Sequence, residues 1–421
     1  MTSEVIVMNQ KALVLAADSA VTVTTNDGNT QTEKYYKSAN KIFELSSDEP
    51  VAIMLYNSVS FHAAPWEIII KNYRKTIKGR SFSSTREYLD DFLSHTAGLN
   101  SLFSISMQED LFRGIVRYVI FKVLRQIEQL PSVVGEIDVA KKDMARQIEF
   151  LTEEARLSSI ALPPHCAPIL LYHQISALRN KIEAEIESEL VSSGFPYDKS
   201  RITDLGINGL LKEYKIHLSN TGLFVAGYGS NDFFPSFEHC RVYGLILGIL
   251  IYDYENGEKI SLDVSARVRG FAQTDMVNTF LFGIGDDLWA ETLTQAARAL
   301  QAFDNEIQAG FPNLPDRSSV RQTHVTNFKD NLLSASVNLH LTPLQQAAAR
   351  LAPDEMASLA ETLVSLESLK ERVTKPSEQV GGPVDVAVLT RSEGLVWVKR
   401  KHYFPSDLNA RFFERQRRNM T

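Results

Sequence analysis

The stretch Thr2-Ser3-Glu4-Val5-Ile6-Val7-Met8-Asn9-Gln10-Lys11-Ala12-Leu13-Val14-Leu15-Ala16-Ala17-Asp18-Ser19 decides how this 421-residue chain is read. Residues 4 to 8 and 12 to 17 are short β-favouring apolar runs, and the polar Asn9-Gln10-Lys11 between them is a turn. The reading is a hairpin with Thr2 at one edge and Asp18 at the end of the second strand. If Met1 is removed, Thr2 carries a hydroxyl beside a free α-amino group of pKa about 7.7–8, which can take the hydroxyl proton without a histidine. Methionine aminopeptidases cut readily before a residue as small as threonine.

Outward from this hairpin, a polar stretch from Thr24 to Thr30 leads to Asn40-Lys41-Ile42-Phe43-Glu44-Leu45 and Pro50-Val51-Ala52-Ile53-Met54-Leu55-Tyr56. These predict a second strand pair with Lys41 at its start. A lysine opening a strand is ordinarily solvated and contributes little to packing.

Ala12 to Ser19, Lys41 to Leu45 and Val51 to Met54 resemble the opening of proteasome β-type subunits and related N-terminal-nucleophile (Ntn) hydrolases. Asp18 lies 16 positions after Thr2, as the aspartate does after the nucleophile in that family. The resemblance resumes at Gly222 to Tyr228, at Phe237 to Gly244, and at Gly381-Gly382-Pro383-Val384-Asp385-Val386-Ala387-Val388-Leu389-Thr390 with the returning edge Gly394 to Trp397. It implies an α+β fold, a four-layer αββα sandwich of two mainly antiparallel sheets. It also implies roles. Thr2 attacks a carbonyl, the Lys41 ammonium lowers the pKa of the amino-terminal and hydroxyl groups, and Asp18 holds Lys41. Backbone N–H groups at Tyr56 or Asn57 stabilise the oxyanion. Val21, Ala39 and Met54 line the pocket for the side chain before the cut, an apolar set that predicts a preference for hydrophobic residues there.

The chain departs from the family at three places. Leu55-Tyr56-Asn57-Ser58 stands where glycine is usual, Gly270-Phe271-Ala272-Gln273-Thr274-Asp275 replaces a Gly-Ser-Gly segment, and the aspartate expected before the double glycine falls near Ser377 or Glu378.

Composition narrows the classes. The chain is 44% hydrophobic and 23% charged with a net charge of −7, an ordinary globular profile with nothing global that favours nucleic acid or an anionic membrane. Cys166 and Cys240 lie far apart without ligand spacing, which predicts no metal site and fits a reducing cytoplasm. The N-terminus lacks the basic and apolar regions of a signal peptide, and the apolar stretch from Leu245 to Tyr252 is too short to span a bilayer.

Between the matching blocks the spacing is helical: a helix from Pro65 onward, another along Leu111, Ile115, Val119 and Val123, and others over about 138–160 and 169–192, separated by Pro163-Pro164. A shorter one is expected over Gly206 to Leu218, and a second helical region over 288–372. The expected organisation is therefore an Ntn core in three parts, 1–82, 220–287 and 377–404, with helical additions at 83–219 and 288–376 and a basic tail at 405–421. Gly227-Tyr228-Gly229 and Gly283-Ile284-Gly285 lack phosphate-loop context, Glu238-His239-Cys240 spreads its side chains over both faces of a strand, and the tail's Arg411, Arg415, Arg417 and Arg418 around Phe412 and Phe413 suit an amphipathic helix.

The expected activity is that of a threonine-type amide hydrolase, a peptidase acting on a peptide or protein substrate. It needs no cofactor and works as a homo-oligomer that an unfoldase or regulatory partner could serve. The alternatives are an Ntn amidohydrolase of small amides and a non-catalytic oligomeric scaffold or sensor.

Overall fold

The computed structural model describes residues 2–26, 31–128, 164–191, 198–311, 313–374, 381–405 and 407–418. The helix expected over 138–160, Pro163, Ser377 and Glu378 lie outside the described residues.

The chain begins with β1 (Ser3–Asn9) and β2 (Leu13–Ala17), then β3 (Val21–Asn26) and β4 (Gln31–Tyr36), then β5 (Ile42–Glu44) and β6 (Val51–Asn57). Two-residue strands β7 (Ser60–Phe61) and β8 (Ala64–Pro65) lead into helices α1 (Trp66–Thr76), α2 (Thr85–Ala97) and α3 (Ile105–Glu128). Three more helices, α4 (Ile175–Val191), α5 (Lys199–Lys212) and α6 (Tyr214–His217), precede the central strands. These are β9 (Thr221–Gly227), β10 (Ser236–Ile246), β11 (Ile249–Tyr254), β12 (Glu258–Lys259) and β13 (Ala266–Ala272). Helices α7 (Asp275–Phe282), α8 (Asp286–Gly310), α9 (Ser318–Ser336), α10 (Thr342–Ala348) and α11 (Pro353–Thr374) follow, then β14 (Asp385–Thr390), β15 (Gly394–Lys399) and α12 (Ala410–Arg418).

The result is an α+β fold in which every described strand pair is antiparallel. Of the two large sheets, the first has the order β13-β1-β2-β14-β15 and the second β11-β10-β9-β6-β5 with β12 on β10, while β3-β4 and β7-β8 are separate two-stranded pairs. Strand alternation distributes the side chains. Ile6, Met8, Leu13, Leu15, Ala387 and Leu389 of the first sheet share one buried cluster with Ala52, Met54, Tyr56, Phe224 and Ala226 of the second. On the opposite face of the first sheet, Val5, Val7, Val14, Val386 and Val388 meet Met356, Ala360, Leu363 and Val364 of α11. The opposite face of the second sheet, through Val51, Ile53, Leu55, Leu223 and Val225, meets Trp66, Ile69 and Tyr73 of α1 and Tyr88, Leu89 and Phe92 of α2. A further cluster joins α3, α4 and α5 to Tyr243, Ile246 and Ile251.

Asn9 makes the first hairpin specific. Its Oδ1 accepts from the backbone N–H of Lys11 (2.9 Å) and Ala12 (3.2 Å), while its Nδ2 donates to the carbonyls of Ala348 (3.0 Å) and Leu351 (3.1 Å). The turn is thereby tied to the last residue of α10 and to the chain just past it.

Some elements differ from the sequence expectation. The polar stretch after Val21 is a strand hairpin, β3 with β4, because its Thr and Val residues favour extended backbone. The helix expected over Gly206 to Leu218 begins earlier, where Asp198 Oδ1 caps the Ser200 and Arg201 N–H groups, and it is interrupted at Glu213. In the tail, Phe404, Phe412 and Phe413 pack on one another at ring separations of 5.0–6.3 Å.

Candidate active site

The register of the first hairpin brings the two ends of its strands together. Glu4 pairs with Ala17, so Asp18 falls beside Ser3. The Asp18 N–H donates to the Ser3 carbonyl (3.1 Å), and the Ser3 N–H returns a bond to Asp18 Oδ1 (3.2 Å). The second carboxylate oxygen of Asp18 accepts from the Gly381 N–H (2.8 Å), at the expected double glycine. Across the interior, Lys41 Nζ forms a close ion pair with Asp18 Oδ1 and a second with Glu4 Oε1 at 3.2 Å. The other oxygen of Glu4 accepts a hydrogen bond from Thr2 Oγ1 at 3.3 Å. The Thr2 carbonyl accepts from the Gln273 N–H (2.9 Å), so the segment that departs from the family's Gly-Ser-Gly pattern is the one that meets Thr2.

Thr2, Asp18 and Lys41, separated in sequence, thus sit in one buried network, and Glu4 is its fourth member. Lys41 is 1% exposed, not solvated as a strand-opening lysine would be. The burial has a physical cause: two buried carboxylates need a cation, and Lys41 is the one that reaches both. Burial pushes the Glu4 carboxyl up to about 7, against the attraction of Lys41 and with help from the negative charge of Asp18. Glu4 was not singled out from the sequence, where it reads as the first residue of an apolar run. The signal that would have found it is alternation: Glu4 shares a strand face with Ile6 and Met8, so it is a carboxylate aimed between the sheets.

Tyr56 and Asn57 end β6. The Leu55 N–H donates to the Lys41 carbonyl (2.9 Å), so alternation along the strand turns the Tyr56 N–H toward β9 and the Asn57 N–H back toward the Lys41 side. Asn57 has φ +64°, the left-handed region that glycine would enter more easily. The Tyr56 ring lies between the sheets, stacked on Phe224, with its hydroxyl sharing a 2.8 Å hydrogen bond with His239 Nε2. Burial raises Tyr56 to about 12 and lowers His239 to about 4, so both are neutral near pH 7. Gly222 makes room for the ring, since a Cβ there would come within 1.6 Å of it.

Of the three expected pocket residues, Val21 opens β3 and Ala39 follows β4; the Ala39 N–H donates to the Ser19 carbonyl (3.1 Å), which holds these segments together. Met54 is fully buried on the inter-sheet face opposite Ile42. A separate cavity of about 210 Å³, lined by Ser58, His62, His217, Asn220 and Tyr243 among others, begins just past Asn57 and includes none of Thr2, Asp18 or Lys41. Among the described residues no group of three or more His, Cys, Asp or Glu is placed to hold a metal ion, and no helix is long and apolar enough to cross a membrane.

Chemically, the network offers a hydroxyl, a carboxylate that titrates near neutrality, and a fixed cation. With Met1 ahead of it in the sequence, the Thr2 nitrogen is an amide, and Thr2 is 2% exposed. No protein-family model matches the sequence, and no curated protein does. Among solved structures, the Anbu (Gly-1) mutant from Hyphomicrobium sp. strain MC1 is similar at 10% identity and a TM-score of 0.29, over 100% of this chain and 96% of that one. At that score the functional reading rests on this chain's own residues.

Proposed function

We propose that the chain is a proteasome-like threonine-type amide hydrolase, a peptidase of the Ntn class built as a four-layer αββα sandwich. One observation carries the reading: Thr2, Asp18 and Lys41 meet in one buried hydrogen-bonded network at the ends of β1 and β2 and the start of β5. Removal of Met1 frees the Thr2 amine as a base. Thr2 Oγ1 then attacks the amide carbonyl, the amine takes its proton and passes it to the leaving amine, and water resolves the ester. Asp18, held by the Ser3 and Gly381 N–H groups, fixes the Lys41 ammonium, whose charge favours the deprotonated nucleophile. The Asn57 N–H is the better oriented oxyanion donor of the two candidates, because it faces the Lys41 side. Val21, Ala39 and Met54 supply an apolar specificity pocket.

In this proposal the three core segments, 1–82, 220–287 and 377–404, support the site, and the additions at 83–219 and 288–376 extend the helical layers. The protein works as a homo-oligomer. Exposed Leu288, Phe303 and Phe328 on α8 and α9 give it apolar ground for self-association, which sedimentation would read as a mass above one chain.

A peptide epoxyketone, which needs both amine and hydroxyl, tests the reading. Intact mass should show loss of Met1 and a single adduct that Thr2→Ala abolishes. Protein lacking Met1 and never forming the adduct would remove the peptidase reading. It would favour a scaffold or sensor, a role for which the tyrosine at position 56, where the family has glycine, already speaks.

A further inference from the structure

The carboxylate of Glu4 touches the hydroxyl that would react. Its Oε2 accepts from Thr2 Oγ1 at 3.3 Å, its Oε1 is held by Lys41 Nζ at 3.2 Å, and the residue is fully buried. This is the arrangement of nucleophile, base and orienting group that activates a hydroxyl elsewhere in enzymes. The groups facing Glu4 are Lys41 from the start of β5, Asp18 from the end of β2 and, at longer range, Tyr56 from β6. With both carboxylates ionised, they and Lys41 carry one excess negative charge in the interior. Proton transfer from Thr2 to Glu4 leaves the net charge of the site unchanged: the negative charge moves from the Glu4 carboxylate to the forming oxyanion, and the Lys41 ammonium lies in the same network to balance it.

We infer that Glu4 is a further catalytic residue of this site: its carboxylate takes the Thr2 hydroxyl proton in place of the α-amino group assigned that step above, so that activation of the nucleophile does not depend on a free α-amino group. The inference rests on the reading of Thr2 as nucleophile. As the Oγ1–C bond forms, the proton moves from Oγ1 to Glu4 Oε2 and the carbonyl electrons go to the oxyanion. When the tetrahedral species collapses and the C–N bond breaks, Glu4 returns the proton to the leaving amine. Water then attacks the ester, gives its proton to Glu4, and Glu4 restores it to Oγ1. Lys41 keeps the carboxylate turned toward Thr2 throughout. The Glu4 carboxyl, raised to about 7, is ionised and still basic enough to act just above neutral pH.

The test uses a β-lactone probe. Thr2 Oγ1 opens it, forming an ester, and the proton ends on the released alkoxide. The rate of adduct formation is followed by intact mass on two forms of the full chain: one lacking Met1, and one retaining it, made with methionine aminopeptidase inhibited. The expected result is labelling of both forms at rates within about tenfold, with the rate rising through an inflection near pH 7 in the Met1-retaining form. Glu4→Gln keeps the size and the hydrogen bonds but cannot take the proton, and should lose on the order of 10²–10⁴-fold in both forms. Glu4→Asp, which keeps the charge with a shorter reach, should recover part of the rate, and a matched thermal transition certifies the fold.

Labelling confined to the form without Met1 overturns the inference without needing any Glu4 variant, and so does a folded Glu4→Gln that labels at the wild-type rate. In both cases the Thr2 reading survives. No labelling of either form, or labelling that Thr2→Ala leaves unchanged, overturns the Thr2 reading itself.

Discussion

Replacing Lys41 by methionine keeps much of the side chain's volume and removes its charge. In the native network that cation is 1% exposed and lies against two carboxylates whose side chains have no exposed surface. Deleting one partner of such a cluster costs about 3–5 kcal/mol, because the remaining charge is stranded away from water. The loss is pH-dependent, and its sign follows from Glu4. The Glu4 carboxyl is already raised from an ordinary 4.5 to about 7, so between those values the native state holds a proton that the unfolded chain has released. Stability through this group is therefore greatest below about pH 4.5 and falls as pH rises toward 7, by about 3 kcal/mol in all. Without Lys41 the Glu4 carboxyl moves higher still, and the falling limb extends above pH 7. Guanidinium unfolding at pH 5 and pH 8 should show Lys41→Met weaker than wild type at both, because Asp18 loses its cation at either pH, with the deficit larger at pH 8, where Glu4 also lacks a partner for its charge. Adding Glu4→Gln to Lys41→Met should remove the extra deficit at pH 8 and leave the part that comes from Asp18. A Lys41→Met protein with the same deficit at both pH values, or less than about 1 kcal/mol at pH 8, would refute the account of a charge-balanced interior.

Three further outcomes are expected. Asn9→Ala removes two bonds within the first hairpin turn and two to the end of α10 and the chain after it, leaving buried polar groups unmatched; it should cost about 2–4 kcal/mol in denaturant unfolding. Gly222→Ala drives a methyl into the Tyr56 ring and should destabilise by about 1–3 kcal/mol or more, with a change in near-ultraviolet circular dichroism as the Tyr56–Phe224 stack shifts. A fluorogenic peptide panel should show faster cleavage after hydrophobic than after acidic or basic residues; equal rates would remove Val21, Ala39 and Met54 as a specificity pocket.

The strands that carry the site were legible because alternation and turn residues are local signals: the hairpin around Asn9, the Lys41–Tyr56 pair and the double-glycine strand all follow from runs a few residues long. The network itself was only partly legible. Thr2, Asp18 and Lys41 stand out by spacing and resemblance, whereas Glu4 hides inside its strand, because a sequence shows which face a residue takes but not what waits opposite. The burial of Lys41 was hidden for the same reason, since it depends on two carboxylates contributed by other strands. The β3–β4 hairpin was missed because its polar composition resembles a loop. The break at Glu213 was missed because helical spacing continues across it.

Asp18 is held by Ser3 on one side and by Gly381 on the other, a contact spanning 363 positions of sequence. On the ribosome, residues 2 to 18 are therefore made long before the backbone that completes their carboxylate's hydrogen bonding, and β2 waits equally long for β14. Contacts of such separation form late and slowly. A nascent chain thus carries Thr2, Glu4, Asp18 and Lys41 long before the backbone that fixes the second oxygen of Asp18, and the order of synthesis itself delays completion of the network until nearly all of the polypeptide has been made.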